Sequence, residues 1–415
     1  MLSIAQLSRD VMISNQEIER KAEEFQLRPL EVQKDYVYGW LLKGLFERPL
    51  LGGQLILKGG NALRKGYLPE TRFSKDLDFS ARTSIPINVL EAELQEVCAF
   101  VSRQTGVQFA QKLSVRTKDL AIPDIEALEA RLYFKSFYGE ENLSLRTQLD
   151  ITQFDRIYLP VQSRQLLHAY SDRAACAAAI QCQKLEEILA SKLTTLLHRR
   201  KPVDLFDLLY TIVFRDQFGV NRREIISTFL KKSIFETQPA VARDQLRAVP
   251  VADFGGLWKT LVAPVASLFS FDFVVANFQG LIDSLFSFVT PPQPALVPAG
   301  ITGPRLGRPS GRVVSRAGFG PANYFPVGAR NILISAGRGR TMVELTYDGH
   351  VRLVEPYKLE YYVRKKDGRG LEYFWGWDTT GGRSGKIGIK QFICEKIVSV
   401  RPTAQPFQPR FVVEL

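Results

Sequence analysis

The sequence has few cysteines and histidines and no long uninterrupted apolar run. Its four cysteines form no Cys-x-x-Cys pair and have no histidine at ligand spacing, which argues against a zinc site and a disulfide scaffold. Residues 1–12 have no basic run followed by an apolar stretch, so no signal peptide is predicted. The most apolar window, residues 267–289, is interrupted by Asp272, Asn277, Gln279 and Asp283, which indicates packing helices rather than a membrane span. We therefore predict a cytoplasmic protein without a membrane partner.

The positive charge is concentrated near the C-terminus. The chain has 415 residues and a formal net charge of +12. Residues 291–415 contain 19 Lys and Arg against 9 Asp and Glu, which leaves only +2 for the first 290 residues. A localised basic surface attracts polyanions, so nucleic acid is the first partner to consider, with solubility alone as the alternative.

A glycine pair followed by spaced acids stands out at residues 55–80. We expect a strand at Leu55–Leu57, a helix at Lys58–Lys65 that begins with Gly59 and Gly60, and a second strand that carries Ser74, Asp76 and Asp78 on one face. Paired carboxylates suit a divalent metal, and glycines let a triphosphate approach the backbone. The alternative is a surface strand after a glycine turn.

A third acid, Asp150, lies in the predicted strand Asn142–Thr152. On a strand next to the Asp-x-Asp strand, Asp150 would complete a metal site or act as a general base. Asp155 competes for this role but follows the strand. The alternative for Asp150 is a solvent-facing acid at a strand end.

Residues 181–212 form a second informative block. Lys192 falls within an apolar helical stripe, where a lysine must either reach solvent or meet an anion. Pro202 ends this helix, and Asp204 opens another with Asp207 three residues later. Helix capping by Asp204 is as good an interpretation as a role in chemistry.

The two blocks together resemble the AbiEii family of nucleotidyltransferase toxins, a branch of the polymerase-β-like nucleotidyltransferases. The first resemblance rests on KGGNALRK followed by RFSKDLDFS, and the second on Lys192, Arg199, Arg200, Asp204 and Asp207. Val203 departs from the pattern, because the family usually has arginine there.

The resemblance implies roles for individual residues. Metal ligands would be Asp76, Asp78 and Asp150, holding Mg²⁺, and the catalytic set would add Lys192 and Asp204. Nucleotide-binding residues would be Lys58, Gly59, Gly60, Ser74, Arg200 and Asp207. The implied reaction transfers a nucleoside monophosphate from a nucleoside triphosphate (NTP) to RNA, with the 3′ end of tRNA as the expected acceptor. The protein would be the toxin of a toxin–antitoxin or phage-defence pair, and its antitoxin would be a winged-helix protein.

The C-terminal third changes in character. Residues 291–328 are rich in proline, glycine and arginine and indicate a linker, whereas residues 329–415 are rich in predicted strands. The string VEPYKLEYYVRKKDGRGLEYFWGWD resembles the WYL domain, an SH3-like barrel associated with nucleic-acid or nucleotide-ligand binding. Candidate nucleic-acid-binding residues are Arg308, Arg312, Arg364, Lys365 and Lys366. The alternative is an aromatic core with a basic rim.

These patterns give an α+β fold class with four segments. We expect a polymerase-β-like nucleotidyltransferase core with a mixed sheet at residues 1–165, a helical subdomain at 166–290, the linker at 291–328 and a small all-β barrel at 329–415. Helical periodicity predicts helices at Asn15–Glu24, Pro29–Phe46 and Pro86–Gln104. Two other functions remain open: nucleotidylation of a protein partner, and a nucleotide- or nucleic-acid-sensing regulator with an inactive transferase core.

Overall fold

The chain forms two compact units in the computed structural model. The structure describes residues 13–111, 113–118, 126–138, 144–199, 201–233, 235–236, 238–289, 314–315, 324–363, 370–382, 385 and 387–415. The N-terminal unit comprises residues 1–119, 125–233 and 243–288, and the C-terminal unit comprises residues 120–124, 234–242 and 289–415.

The first 288 residues contain α-helices and the strands of one sheet. The α-helices are α1 (Asn15–Phe25), α2 (Pro29–Glu47), α3 (Pro49–Gln54), α4 (Gly59–Ala62), α5 (Ile87–Thr105), α6 (Leu185–Arg199), α7 (Pro202–Leu209), α8 (Arg222–Lys232), α9 (Pro239–Arg247), α10 (Gly255–Trp258) and α11 (Phe271–Phe286). The strands are β1 (Leu55–Lys58), β2 (Leu77–Ala81), β3 (Ser114–Lys118), β4 (Glu126–Lys135), β5 (Ser144–Gln153), β6 (Gln162–Gln165) and β7 (Ala179–Cys182). The three predicted N-terminal helices are confirmed as α1, α2 and α5.

One mixed sheet of seven strands runs through the N-terminal unit, in the order β3-β4-β5-β2-β1-β7-β6. Strand β2 pairs antiparallel with β1 and parallel with β5. Strands β4 and β5 pair antiparallel over their whole length. The centre of the sheet is therefore β5-β2-β1, built from strands far apart in sequence.

Helix α2 braces this sheet from its buried position. Pro29 at its first position fits a helix start, because proline lacks the N–H that would stay unpaired there. Its middle section is apolar on nearly every side, and Val37, Trp40 and Leu41 are fully buried. A helix that is apolar all round belongs in a protein interior. Helix α2 packs against α5 and contacts strands β5 and β7.

A layer of helices follows the sheet in sequence. Helix α6 packs against α7 and α8, and α11 packs against the same two helices. Asn221 caps α8 by accepting the N–H of Glu224, and Ser270 caps α11 by accepting the N–H of Phe273. Such side-chain caps satisfy N–H groups that the first helical turn leaves free.

The apolar window near residue 270 is a packing segment. Residues Val265–Phe286 are long and apolar enough to cross a membrane by length and composition alone. The α-helix within them, α11, has only 16 residues. It spans about 24 Å, short of a hydrocarbon core of about 30 Å. Its Val274, Phe278 and Ile282 are buried in the N-terminal unit, so one face of the helix packs against the core.

The C-terminal unit combines a helix with an open sheet. Its helix is α12 (Val327–Gly339), and its strands are β8 (Val314–Ser315), β9 (Thr341–Tyr347), β10 (His350–Val363), β11 (Gly370–Asp378), β12 (Gly388–Ile393) and β13 (Ile397–Pro406). The strand order is β12-β11-β10-β9-β13-β8. Strands β12 and β8 end the described sheet on either side, so the expected closed SH3-like barrel is not confirmed.

The expectation that residues 329–415 are entirely β is wrong. Helix α12 occupies the start of this segment, and its Ala329, Leu333 and Ala336 are buried in a core with Val343, Leu345, Phe374 and other apolar side chains. These three positions follow a spacing of four and three residues, which places them on one helical face. The helix covers one side of the sheet by contacting β9, β10 and β13.

Candidate active site

Three aspartates meet at the centre of the mixed sheet. Asp78 on β2 lies directly beside Asp150 on β5 in the parallel register of the two strands. One carboxylate oxygen from each of Asp76, Asp78 and Asp150 lies within 4.8 Å of the others, and all three residues are half-buried. The prediction that Asp150 lies on the strand next to the Asp-x-Asp strand is therefore confirmed. We call these three residues the acidic triad.

Two members of the motif lie in a loop, contrary to prediction. Strand β2 begins at Leu77, so Ser74 and Asp76 precede it and do not share a strand face with Asp78. The loop is held by its backbone: the Asn61 side-chain amide donates to the Asp76 carbonyl at 2.6 Å, and the Tyr38 hydroxyl donates to the Lys75 carbonyl. These bonds fix Asp76 beside Asp78, while the Ser74 hydroxyl donates to Asp76 Oδ1 at 3.4 Å.

The glycine pair packs against the triad and its serine. Gly59 has a φ of +71°, and a β-carbon there would lie 2.4 Å from Asp78 Oδ2. A β-carbon at Gly60 would lie 2.8 Å from Ser74 Oγ and 2.9 Å from an Arg72 guanidinium nitrogen. The predicted helix over Lys58–Lys65 is in fact short, because Lys58 ends β1, α4 covers Gly59–Ala62, and a π-helical turn follows at Leu63–Tyr67.

Burial and neighbouring negative charge raise the pKa of Asp78. Burial is the larger cause, and the carboxylates of Asp76 and Asp150 add to it, so that this pKa is raised to about 6 against the opposing effects of Lys58 and Lys192. Asp150 is also contacted by one cation and one amide: Lys118 Nζ lies 3.0 Å from its Oδ2, and the Gln148 amide donates to both of its oxygens. Clustered carboxylate oxygens are the donor set that hard divalent cations prefer, so these residues fit a bound Mg²⁺.

Lys58 faces the triad and is held by Asp155. Lys58 lies opposite Asp78 in the β1–β2 register. Its ammonium donates to Asp155 Oδ2 at 2.8 Å, and the Ser80 hydroxyl donates to the same oxygen at 2.6 Å. Because Lys58 favours the charged carboxylate, the pKa of Asp155 is lowered to about 2 even though burial alone would raise it. Asp155 is therefore the partner of Lys58 and not a fourth member of the triad.

A buried cluster of four charges adjoins the glycine pair. Lys192 Nζ lies 3.2 Å from Asp204 Oδ1 and 2.7 Å from Asp207 Oδ2. The Arg72 guanidinium pairs with both oxygens of Asp207, at 2.7 and 2.8 Å. All four side chains are buried, and their formal charges cancel. The lysine within the apolar stripe thus meets protein carboxylates. We call Arg72, Lys192, Asp204 and Asp207 the charged quartet.

The capping interpretation of Asp204 is wrong. Helix α7 begins at Pro202, so Asp204 is its third residue, and the N-cap residue Lys201 makes no side-chain cap bond. The Asp204 carboxylate turns inward to Lys192 instead. Its location supports a role in holding Lys192.

Sequence reasoning overlooked several residues that shape the site. Arg72 was noted only as part of a resemblance, although its guanidinium contacts Gly60 and completes the quartet. Lys118, Asn61 and Tyr38 carry no local signal, because their partners lie 15 to 37 residues away.

Several residues predicted to bind nucleotide or nucleic acid lie outside the described residues, namely Arg200, Arg308, Arg312, Arg364, Lys365 and Lys366.

Comparison with known proteins identifies a matching family. The model of the nucleotidyl transferase AbiEii toxin family, type IV toxin–antitoxin system, matches residues 40–272, or 233 of the 415 residues. The match includes the glycine pair, the acidic triad and the charged quartet. No curated protein sequence matches the chain.

Seven chains of known structure are similar to this one. One is MenT4, a nucleotidyltransferase toxin from Mycobacterium tuberculosis H37Rv. Its sequence is 18% identical, and the alignment covers 65% of this chain and 88% of MenT4 with a TM-score of 0.39.

Proposed function

Because the chain belongs to the AbiEii family of nucleotidyltransferase toxins of type IV toxin–antitoxin systems, we propose that it transfers a nucleoside monophosphate from an NTP to RNA with the help of Mg²⁺. The expected acceptor is the 3′ end of tRNA. The observation that carries this proposal is the acidic triad, in which Asp78 and Asp150 lie side by side on adjacent strands and Asp76 joins them from a loop.

The triad residues would hold the metal. Asp76, Asp78 and Asp150 would hold Mg²⁺, which would supply positive charge to offset the negative charge that develops during an in-line displacement. The raised pKa of Asp78 supports this role, since it reflects a buried site where negative charge is in excess. The glycine pair lets the Asp78 and Ser74 side chains lie directly against the backbone of this turn, and the triphosphate would bind beside it.

The cations near the triad would orient the triphosphate. Lys58 lies beside Asp78 with its ammonium held by Asp155, and Lys192 is close enough to lower the pKa of Asp78. Asp204 and Asp207 would position Lys192, and Ser74 would contact a phosphate from the loop before β2. Positioning of this kind accounts for most of the catalysis in phosphoryl-transfer enzymes.

In the chemical step, the acceptor hydroxyl would lie close to the α-phosphorus of the bound NTP. The acceptor hydroxyl oxygen attacks the α-phosphorus and forms a new phosphorus–oxygen bond, while the bond from that phosphorus to the bridging oxygen of the β-phosphate breaks and pyrophosphate leaves. Asp150, at the edge of the triad, would accept the proton of the hydroxyl. Modification of RNA in this way would make the protein toxic until its cognate antitoxin, expected to be a winged-helix protein, neutralises it, and would serve phage defence.

A labelling experiment tests the proposal. The protein is incubated with Mg²⁺, total RNA and each α-phosphorus-labelled NTP in turn, with and without a chelator. We expect label on a tRNA-sized band for a preferred base, and loss of that label with the chelator. Label on protein bands and none on RNA would instead favour a protein acceptor, and no transfer of any label would favour the regulator hypothesis.

A further inference from the structure

A basic cavity opens next to the acidic triad in the N-terminal unit. It has a volume of about 450 Å³. It is lined by Arg28, Glu31, Lys34, Lys75, Asp76, Arg146 and Gln148. Asp76 is thus a member of both the triad and the cavity wall, and the cavity leads directly to the proposed site of reaction.

The cavity carries unpaired positive charge. Of its four cations, only Arg28 forms an ion pair within the described part of the chain, with Glu31 at 2.8 Å. Lys34, Lys75 and Arg146 form none there. By contrast, the cations buried around the triad are matched by acids, as Lys58 is by Asp155 and Lys192 is by Asp204 and Asp207. Cations grouped without protein partners around a cavity attract an anionic ligand.

The position of the cavity distinguishes between two anions, the triphosphate and the acceptor. The glycine pair packs against Asp78, Ser74 and Arg72, and none of these residues lines the cavity. In an in-line displacement the attacking and leaving oxygens lie on opposite sides of the phosphorus. With the triphosphate on the glycine side of the triad, the cavity on the Asp76 side is left for the acceptor.

The spacing of the cations fits a polymer. Arg146, Gln148 and Asp150 alternate along β5 and therefore share one face of the sheet. Arg146 lies about 13 Å from Asp150 along the strand, at about 3.3 Å per residue. A nucleic-acid chain whose terminal hydroxyl lies at Asp150 would place its following phosphates along this face toward Arg146. Arginine and lysine on exposed positions suit contact with such a backbone.

We propose that the cavity formed by Arg28, Lys34, Lys75 and Arg146 binds the phosphodiester backbone of a single-stranded nucleic-acid end and directs its terminal hydroxyl to the acidic triad. This inference rests on the proposed function and names where its acceptor binds. The acceptor site is thus in the N-terminal unit, whose net charge is small, rather than in the basic C-terminal third alone.

Binding measurements on the full-length protein test this assignment. The double variant Lys34→Ala, Arg146→Ala is compared with the control Arg103→Ala, Lys259→Ala, which removes one arginine and one lysine from exposed positions of the same unit outside the cavity. The probes are a fluorescent 12-nucleotide RNA with a free 3′ hydroxyl, followed by anisotropy, and each unlabelled NTP with Mg²⁺, followed by calorimetry.

We expect the cavity variant to bind the RNA about tenfold more weakly. The slope of the logarithm of the binding constant against the logarithm of the salt concentration should become shallower by about 0.7 for each lost phosphate contact. Its Kd for NTPs should stay within about twofold of that of the unaltered protein, as should both Kd values of the control. The proposal is overturned if the unaltered protein does not bind the RNA, if the cavity variant binds it equally well, or if NTP binding weakens as much as RNA binding.

Measuring both RNA binding and label transfer with these proteins distinguishes this proposal from the proposed function, because RNA binding does not require the transfer reaction. RNA binding that depends on the cavity, without transfer of label to any RNA, would support the cavity as a nucleic-acid site and contradict the transferase reaction. Transfer of label to RNA with an unchanged KM for RNA in the cavity variant would support the reaction and place the acceptor elsewhere.

Discussion

The backbone of Gly59 lies directly against the carboxylate of Asp78. A β-carbon at Gly59 would come within 2.4 Å of Asp78 Oδ2, and the φ of +71° is itself unfavourable for any other residue. Glycine is therefore required at position 59 both by the backbone conformation of the turn and by the contact with Asp78. The glycine pair and the Asp-x-Asp segment thus depend on each other for their positions.

We predict that Gly59→Ala displaces Asp78 and lowers the rate of nucleotide transfer by about 100-fold, since a shift of about 1 Å in a reacting group has that effect. The strained φ should also lower the free energy of unfolding by about 1–2 kcal/mol. Transfer rates and urea denaturation measure the two effects. The matched control is Gly53→Ala, where an added β-carbon meets nothing within 4 Å. Full activity in Gly59→Ala would show that the glycine does not position Asp78.

The charged quartet gives a prediction that separates stability from catalysis. Lys192→Met removes the cation that contacts both Asp204 and Asp207, and loss of one partner of a buried ion pair costs about 3–5 kcal/mol of unfolding free energy. Adding Asp204→Asn replaces one of these two acids with a neutral side chain, so we expect the double variant to regain stability but to remain inactive because it lacks the Lys192 ammonium. A double variant that recovers transfer activity would show that Lys192 has only a structural role.

Asp155 should act through Lys58. We expect Asp155→Asn to raise the KM for the NTP about tenfold, because the Lys58 ammonium loses the carboxylate that holds it at 2.8 Å. The effects of substituting two residues that act as a unit do not add. The KM for the NTP of the double variant Lys58→Met, Asp155→Asn should therefore be no higher than that of Lys58→Met alone. Losses that multiply in the double variant would mean that Asp155 contributes independently of Lys58.

The lowered pKa of Asp155 predicts how this pair stabilises the fold. A carboxyl group whose pKa is about 2 when folded and about 3.9 when unfolded contributes about 3 kcal/mol of unfolding free energy above its unfolded pKa. This contribution is lost as the pH falls from about 5 to 2. The stability difference between the unaltered protein and Asp155→Asn, measured by urea denaturation across that range, should therefore shrink on acidification. A difference that is constant with pH would contradict the assigned pairing.

Local patterns predicted the elements that carry the site but not all of its geometry. The glycine pair and the Asp-x-Asp motif were readable from short-range spacing, whereas the placement of Asp150 on a neighbouring strand was implied by the resemblance to nucleotidyltransferases. The start of β2 was not readable. Ser74, Asp76 and Asp78 are spaced two residues apart, as on one face of a strand, yet bonds from Asn61 and Tyr38 hold residues 74–76 as a loop. Those donors lie on separate helical segments and give no signal near residue 76.

The ion pairs escaped prediction for a similar reason. Lys58 and Asp155 are 97 residues apart, and Arg72 and Asp207 are 135 residues apart, so no local spacing links them. The basic cavity could not be predicted from composition. Its cations come from α2, a loop and β5, and the first 290 residues have a nearly balanced charge. Helix α12 was missed because glycines at both of its ends resemble the linker before it.

The central claim is that the acidic triad catalyses nucleotide transfer. Its most direct test is the rate of label transfer from an α-phosphorus-labelled NTP to RNA by Asp76→Asn and Asp78→Asn, with Asp253→Asn as an exposed control in the same unit. Loss of a metal-binding carboxylate should lower the rate by at least about 1,000-fold in both triad variants, with unfolding transitions retained and the control unaffected. Transfer by either triad variant at a rate near that of the unaltered protein would contradict the account.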